Sequence, residues 1–202
     1  MNKEAEFWTW FEENRSKFTD QTHPNFENHL DELQEHLQAY HEDISFEVGG
    51  YDDSDEVELI ITSFGNSQYF NAVYQLVESA PVIKNWKFTA LKPPISPEDR
   101  LFKTDYYGVE LDTSEIHFIP LENQTKPDLI GLRVLVKQMD QSNYGKYYEG
   151  ILMVIHTLLG EKVAAESIQY VEVMKNDDSE DQIPITDLPE YIEWKKSHPN
   201  EN

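Results

Sequence analysis

Glu56-Val57-Glu58-Leu59-Ile60-Ile61-Thr62 is the stretch whose reading decides the fold. Its β-branched residues suit a pleated, half-buried strand better than a helix. Upstream, Ile44, Phe46 and Val48 alternate with Ser45 and Glu47 until Gly49-Gly50. The two runs predict an antiparallel pair, joined through Asp52-Asp53-Ser54-Asp55 by a loop too long for a tight hairpin. Downstream, Gly65-Asn66-Ser67 ends the strand and caps a helix with apolar positions Phe70, Val73, Leu76 and Val77. Pro81 closes that helix, and Trp86-Lys87-Phe88-Thr89-Ala90-Leu91 reads as a third strand. The order is strand, strand, helix, strand.

The same order returns further along. Ile116–Ile119 and Leu129–Val136 read as strands, Tyr147–Leu159 as an apolar helix ended by Gly160, and Ile168–Met174 as the last strand. Tyr107-Gly108-Val109-Glu110-Leu111 reads as an extra strand, with Asp112–Glu115 as the turn after it. Between the halves, Lys92-Pro93-Pro94-Ile95-Ser96-Pro97 cannot be strand interior, because each proline removes a ladder donor. The expected fold is α+β, a single domain over 1–202. A ββαβ duplication (44–91 and 105–174) would build one mostly antiparallel sheet, with the helices at 67–79 and 146–159 on one face. An N-terminal helical pair fills 1–43, and an acidic loop with a C-terminal helix fills 175–202.

In that pair, Phe7, Trp8, Phe11 and Phe18 share one side of the first helix, and Trp10 lies off the stripe. Phe26, Leu30, Leu33, Leu37 and Tyr40 mark the second, with Asn25 as its expected N-cap. If Phe46, Val57, Leu59, Phe88, Phe118 and Val134 face the crossover helices, alternation turns Glu47, Glu58, Lys87, His117, Arg133 and Lys137 outward. Ile60, Leu91, Ile119 and Leu135 turn outward with them. Such a mixed face asks for partial cover, expected from the N-terminal helices or a second subunit.

Composition narrows the function classes. Sixteen Lys+Arg against 39 Asp+Glu give a net charge of −23. Nucleic acid is an unsuitable partner, since phosphate binding needs basic side chains, and an anionic membrane surface is unsuitable for the same reason. No cysteine is present, which removes disulfides and thiolate chemistry. No leader-like start and no membrane-spanning run is read, so the expectation is a cytoplasmic protein.

Asn85-Trp86-Lys87-Phe88-Thr89-Ala90-Leu91-Lys92-Pro93, with Glu58–Thr62 and Gly65-Asn66, resembles segments of a family of uncharacterised bacterial proteins. Phe7-Trp8-Thr9-Trp10-Phe11 and Leu188-Pro189-Glu190-Tyr191 are similar to that family too. The resemblance implies shared fold determinants and carries no activity and no site residues.

Catalytic signatures do not match. Asp52-Asp53-Ser54-Asp55-Glu56 fails as a calcium loop, with Val57 at the glycine position and Ser63 at the bidentate one. Asp177–Asp181 fails likewise, at Gln182 and Leu188. The seven histidines form no zinc pattern, and neither nucleophile elbow nor phosphate loop occurs. No metal or cofactor is expected. His117 and Arg133, on adjacent expected strands, are the candidate ligand or partner site. Tyr144, Tyr147 and Tyr148 are a second candidate, set beside Tyr106 and Tyr107, because tyrosines combine apolar area with a polar tip. The preferred function is a non-enzymatic module, monomer or homodimer, that binds a basic protein as an inhibitor or immunity-type partner does. The alternative is a hydrolase-like enzyme whose carboxylates and His117 converge only in three dimensions.

Overall fold

The computed structural model describes residues 2–50, 56–121, 130–176 and 181–198. The expected acidic loop at 52–55 and most of the one at 177–181 lie outside the described residues, as does Leu129. The chain parts between Lys92 and Pro93 into two compact units, at the proline-rich run that cannot continue a ladder.

In the first unit, β2 (Val57–Thr62) is the central strand, antiparallel to β1 (Ser45–Gly50) and parallel to β3 (Trp86–Ala90). Helix α3 (Phe70–Glu78) makes the β2–β3 crossover. Asn66 opens it through a short 3-10 turn, its side chain accepting from Gln68 N at 3.2 Å. The register aligns Leu59 with Phe88 and Ile61 with Ala90, so one face carries Leu59, Ile61, Trp86 and Phe88. Leu59 and Ile61 on that face have no exposed surface.

Helices α1 (Lys3–Asn14) and α2 (Phe26–Tyr40) complete this core. Asn2 caps α1 by accepting from Ala5 N at 2.9 Å. Asn25 stands at the N-cap of α2 as expected, without a side-chain capping bond. The expectation that these helices cover the outward face is corrected. Trp8 packs against Phe88 (4.6 Å between ring centroids) and Phe11 against Trp86 (4.9 Å), on the face that carries Leu59. Trp8 Nε1 also donates to Leu76 O of α3 at 2.8 Å, and Tyr40 Oη to Ala72 O at 2.9 Å. Aromatic area is best buried against aromatic area, so α1 follows Trp86 and Phe88 to α3's side. Trp10, off the main stripe, stacks on His36 at 3.9 Å and so joins α1 to α2.

The second unit repeats the pattern. Its central strand β7 (Ile130–Val136) runs antiparallel to β6 (Ile116–Leu121) and parallel to β8 (Ile168–Lys175), and β9 (Ile183–Pro184) flanks β6. The crossover holds α4 (Tyr144–Leu159) and α5 (Glu161–Ser167), hinged at Gly160 with φ +74°. Only α4 was expected. Phe118, Leu132, Val134, Ile151, Val154 and Leu158 are buried together, with Ile192 of α6 (Leu188–Ser197). The duplication therefore stands as topology, in each case a central strand with one antiparallel and one parallel neighbour. The single shared sheet does not. Each ββαβ ladder closes on helices of its own unit, and α3 and α4 belong to different sheets.

A two-stranded sheet, β4 (Lys103–Tyr106) with β5 (Val109–Asp112), completes the second unit. Tyr107 and Gly108 were expected inside a strand. They are the hairpin loop, with φ of +48° and +84°, the signs a type I′ turn requires at both central positions. Tyrosine pays backbone strain there, whereas asparagine visits this region readily. With Tyr107 76% exposed, Tyr107→Asn should lose little packing and raise stability by about 0.5–1 kcal/mol. A denaturant midpoint unchanged or lowered would contradict that assignment.

Candidate functional site

The candidates collect on the second unit, and the sheet register sorts them. His117 sits opposite Leu135 on one side and Pro184 on the other, and Arg133 sits opposite Ile119. His117 and Arg133 are thus diagonal neighbours on the sheet face turned away from Phe118 and Val134. His117 is half-buried, and its Nδ1 finds no hydrogen-bond partner among the described residues. Arg133 is engaged by Glu172 of β8, its Nε donating to the carboxylate. Tyr170 donates its phenol to the other oxygen of Glu172 at 3.3 Å. The charge of Glu172 is the main cause that raises the Tyr170 pKa, with Tyr144 adding to it and Arg133 opposing it. Phenol, carboxylate and guanidinium therefore form one row across β7 and β8. The alternation of Tyr170, Glu172 and Met174 was visible in the sequence. Their place beside Arg133 needed the parallel β7–β8 pairing, which no local pattern encodes.

The three tyrosines separate. Tyr147 is buried, and its hydroxyl donates to Gln138 O at 2.8 Å, so it serves the core. Tyr144 and Tyr148, one turn apart, stack at 6.2 Å on a flank of α4. The β4–β5 hairpin meets the opposite flank, where Lys146 Nζ donates to Tyr107 O at 2.8 Å and Tyr106 Oη to Glu149 at 2.9 Å. At 3.6 residues per turn, Lys146 and Glu149 project away from Tyr144 and Tyr148. The expected five-tyrosine cluster is two patches. Burial first, then the hydrogen bond to Glu149, raises the Tyr106 pKa.

Two polar depressions lie elsewhere. In the first unit, Lys3, Tyr40, His41, Asp43 and Tyr69 line an open hollow of about 500 Å³. Asp43 accepts from Tyr69 there and raises its pKa. In the second unit, Lys103, Glu110, Asp112, Glu115 and Lys137 line a cleft of about 160 Å³. Ser114 first, then Lys103 at 2.9 Å, lowers the Asp112 carboxyl from 3.8 to about 2. A depressed carboxyl contributes stability that is complete above its unfolded pKa and disappears as pH falls through the folded one. Asp112→Asn should therefore be less stable than the parent at neutral pH, with the gap closing from about pH 4 to about pH 2. Parallel urea titrations of both proteins check this, and a gap independent of pH would contradict it.

Among the described residues, no group of three or more His, Asp or Glu side chains is placed to hold a metal ion. No helix among them is long and apolar enough to cross a membrane. The carboxyls of Asp20, Glu32, Asp112, Asp140 and Glu190 are shifted downward, held by hydroxyls, backbone amides or cations. Comparison with protein-family models, with curated proteins and with solved structures finds no match for this chain.

Proposed function

We propose that this chain is a non-enzymatic acidic module that binds a basic protein, in the manner of an inhibitor or immunity protein. The observation that carries the reading is the net charge of −23 on a folded scaffold. Six ion pairs between described side chains engage Glu32, Glu47, Glu58, Asp112, Glu172 and Glu190. The net charge already counts both partners of every pair, so the far field stays strongly negative.

The test is capture on the immobilised full chain from an extract of its native host, washed at low and then at high salt. A partner with a clear excess of Lys and Arg should be retained at low salt and released at high salt, since exposed charges are screened beyond about 8 Å at physiological ionic strength. Retention of neutral or acidic proteins alone, indifferent to salt, would overturn the reading.

A further inference from the structure

The strand edges of the two larger sheets are not alike. β3 has five residues, carries Lys87, and is bounded by Asn85 and Leu91 at positive φ. β1 has six, carries Glu47, and ends in Gly49-Gly50. β9 is two residues long and contains Pro184. Short length, charge, glycine and proline are the devices that stop an edge from pairing with another chain. β8 differs from all three. It has eight residues and contains no proline or glycine; of its two charges, Glu172 is held by Arg133 and Lys175 stands at the last position. Among the described residues β7 is the one strand that pairs with it. Tyr170 and Met174 beside that edge are 54% and 47% exposed.

We propose that the edge of β8 is a strand-addition site that takes an extended cationic segment of a partner protein. The proposal rests on the reading of this chain as a binder of basic proteins, and it says where the partner docks. An added strand pairs its backbone with the β8 groups turned away from β7, and alternate side chains read the neighbouring surface. The row it would meet is Tyr170, Glu172 and Met174. A lysine or arginine opposite Glu172 adds a second cation to a carboxylate that already holds Arg133, and the Tyr170 ring offers it an aromatic face. Apolar side chains on the same row would cover Met174. A second copy of the chain fits less well. Antiparallel pairing centred on Glu172 would set two Glu172 side chains opposite each other, and each chain carries −23.

The test uses the full chain and an acetylated peptide of alternating lysine and valine, eight residues long to match β8. Backbone amide exchange is followed with and without the peptide, beside an equally long peptide of alternating glutamate and valine. The lysine peptide should slow exchange of the outward-turned β8 amides by about tenfold or more, and the glutamate peptide should not. The doubly substituted Tyr170→Lys, Met174→Lys chain, altered only at half-exposed positions, should keep its circular dichroism and lose the protection. Lysine-peptide binding with no slowing at 168–175 would overturn the site and leave the basic-partner reading intact. Equal protection by both peptides would overturn the cationic specificity. Protection that grows with protein concentration alone would assign the edge to a second copy and overturn the proposal. If the lysine peptide does not bind at all, the site falls, and the capture experiment decides separately whether the basic-partner reading falls with it.

Discussion

Phe11→Ala should destabilise the first unit by about 3–5 kcal/mol, the range for truncating a buried aromatic side chain. Phe11 has no exposed surface. Its ring meets those of Phe7, Trp8, Phe18, Trp86 and Phe88 at centroid distances between 4.9 and 6.2 Å. Those rings come from α1, the turn after it and β3, so the cavity would open where helix and sheet join. Edge-to-face pairs contribute beyond buried area, and four of these five contacts cannot close up without moving α1 or β3. Trp8, Trp10 and Trp86 lie in this unit and Trp194 in the other, so urea unfolding followed by tryptophan fluorescence reads the first unit preferentially. A loss below about 1 kcal/mol would mean that α1 is not part of the core.

The second large effect concerns α4, where two glycines should respond with opposite signs. A Cβ at Gly150 would lie 2.7 Å from Leu111 Cδ1 and 3.2 Å from Tyr106 Cβ. Leu111 is buried and Tyr106 is tied to Glu149, so the β4–β5 hairpin approaches α4 through the space that glycine leaves. Gly150→Val should cost about 1–3 kcal/mol through overpacking and push the hairpin off the helix. Gly145 has nothing within 4 Å of the same added atom. Gly145→Ala should then be neutral or stabilising by up to about 1 kcal/mol, through helix propensity alone. Thermal melts of both variants check the contrast. Equal effects at the two positions would contradict the close approach.

These particulars show how far the sequence could be read. The strand runs read at Ile44–Val48, Glu56–Thr62 and Trp86–Leu91 are β1, β2 and β3, although Glu58, expected to turn outward, is buried, and the 4-3-4-3 spacing of Phe26 to Tyr40 is what α2 displays. Alternation says which side chains seek cover and is silent on what covers them. Alternation therefore sends the N-terminal helices to the wrong sheet face, although the side of α1 that Phe7, Trp8 and Phe11 share is the buried one. Identical strand patterns likewise cannot say whether two ladders hydrogen-bond to each other, and the expected single sheet is instead separate ladders. The strand expected over Tyr107–Leu111 begins two residues too early, because the turn conformation of Tyr107 is set by Gly108 and by the register of Tyr106 with Val109, against tyrosine's own preference.

The site was legible in the same measure. His117 and Arg133 do share a face, as alternation required. Tyr144, Tyr147 and Tyr148 parted because they project from different sides of one helix, and Tyr106 and Tyr107 reached the flank that Tyr144 and Tyr148 do not occupy. Glu172 and Tyr170, which complete the row around Arg133, come from a strand 39 residues further along the chain. Only the crossover through α4 and α5 brings them there.

The central claim is that charge recruits a basic protein to this fold, and the association rate with the captured partner tests it most directly. Stopped-flow mixing across a series of salt concentrations should show the association rate constant falling steeply as ionic strength rises, with the dissociation rate constant changing little, as electrostatic steering requires. An association rate constant that does not depend on salt would contradict the claim.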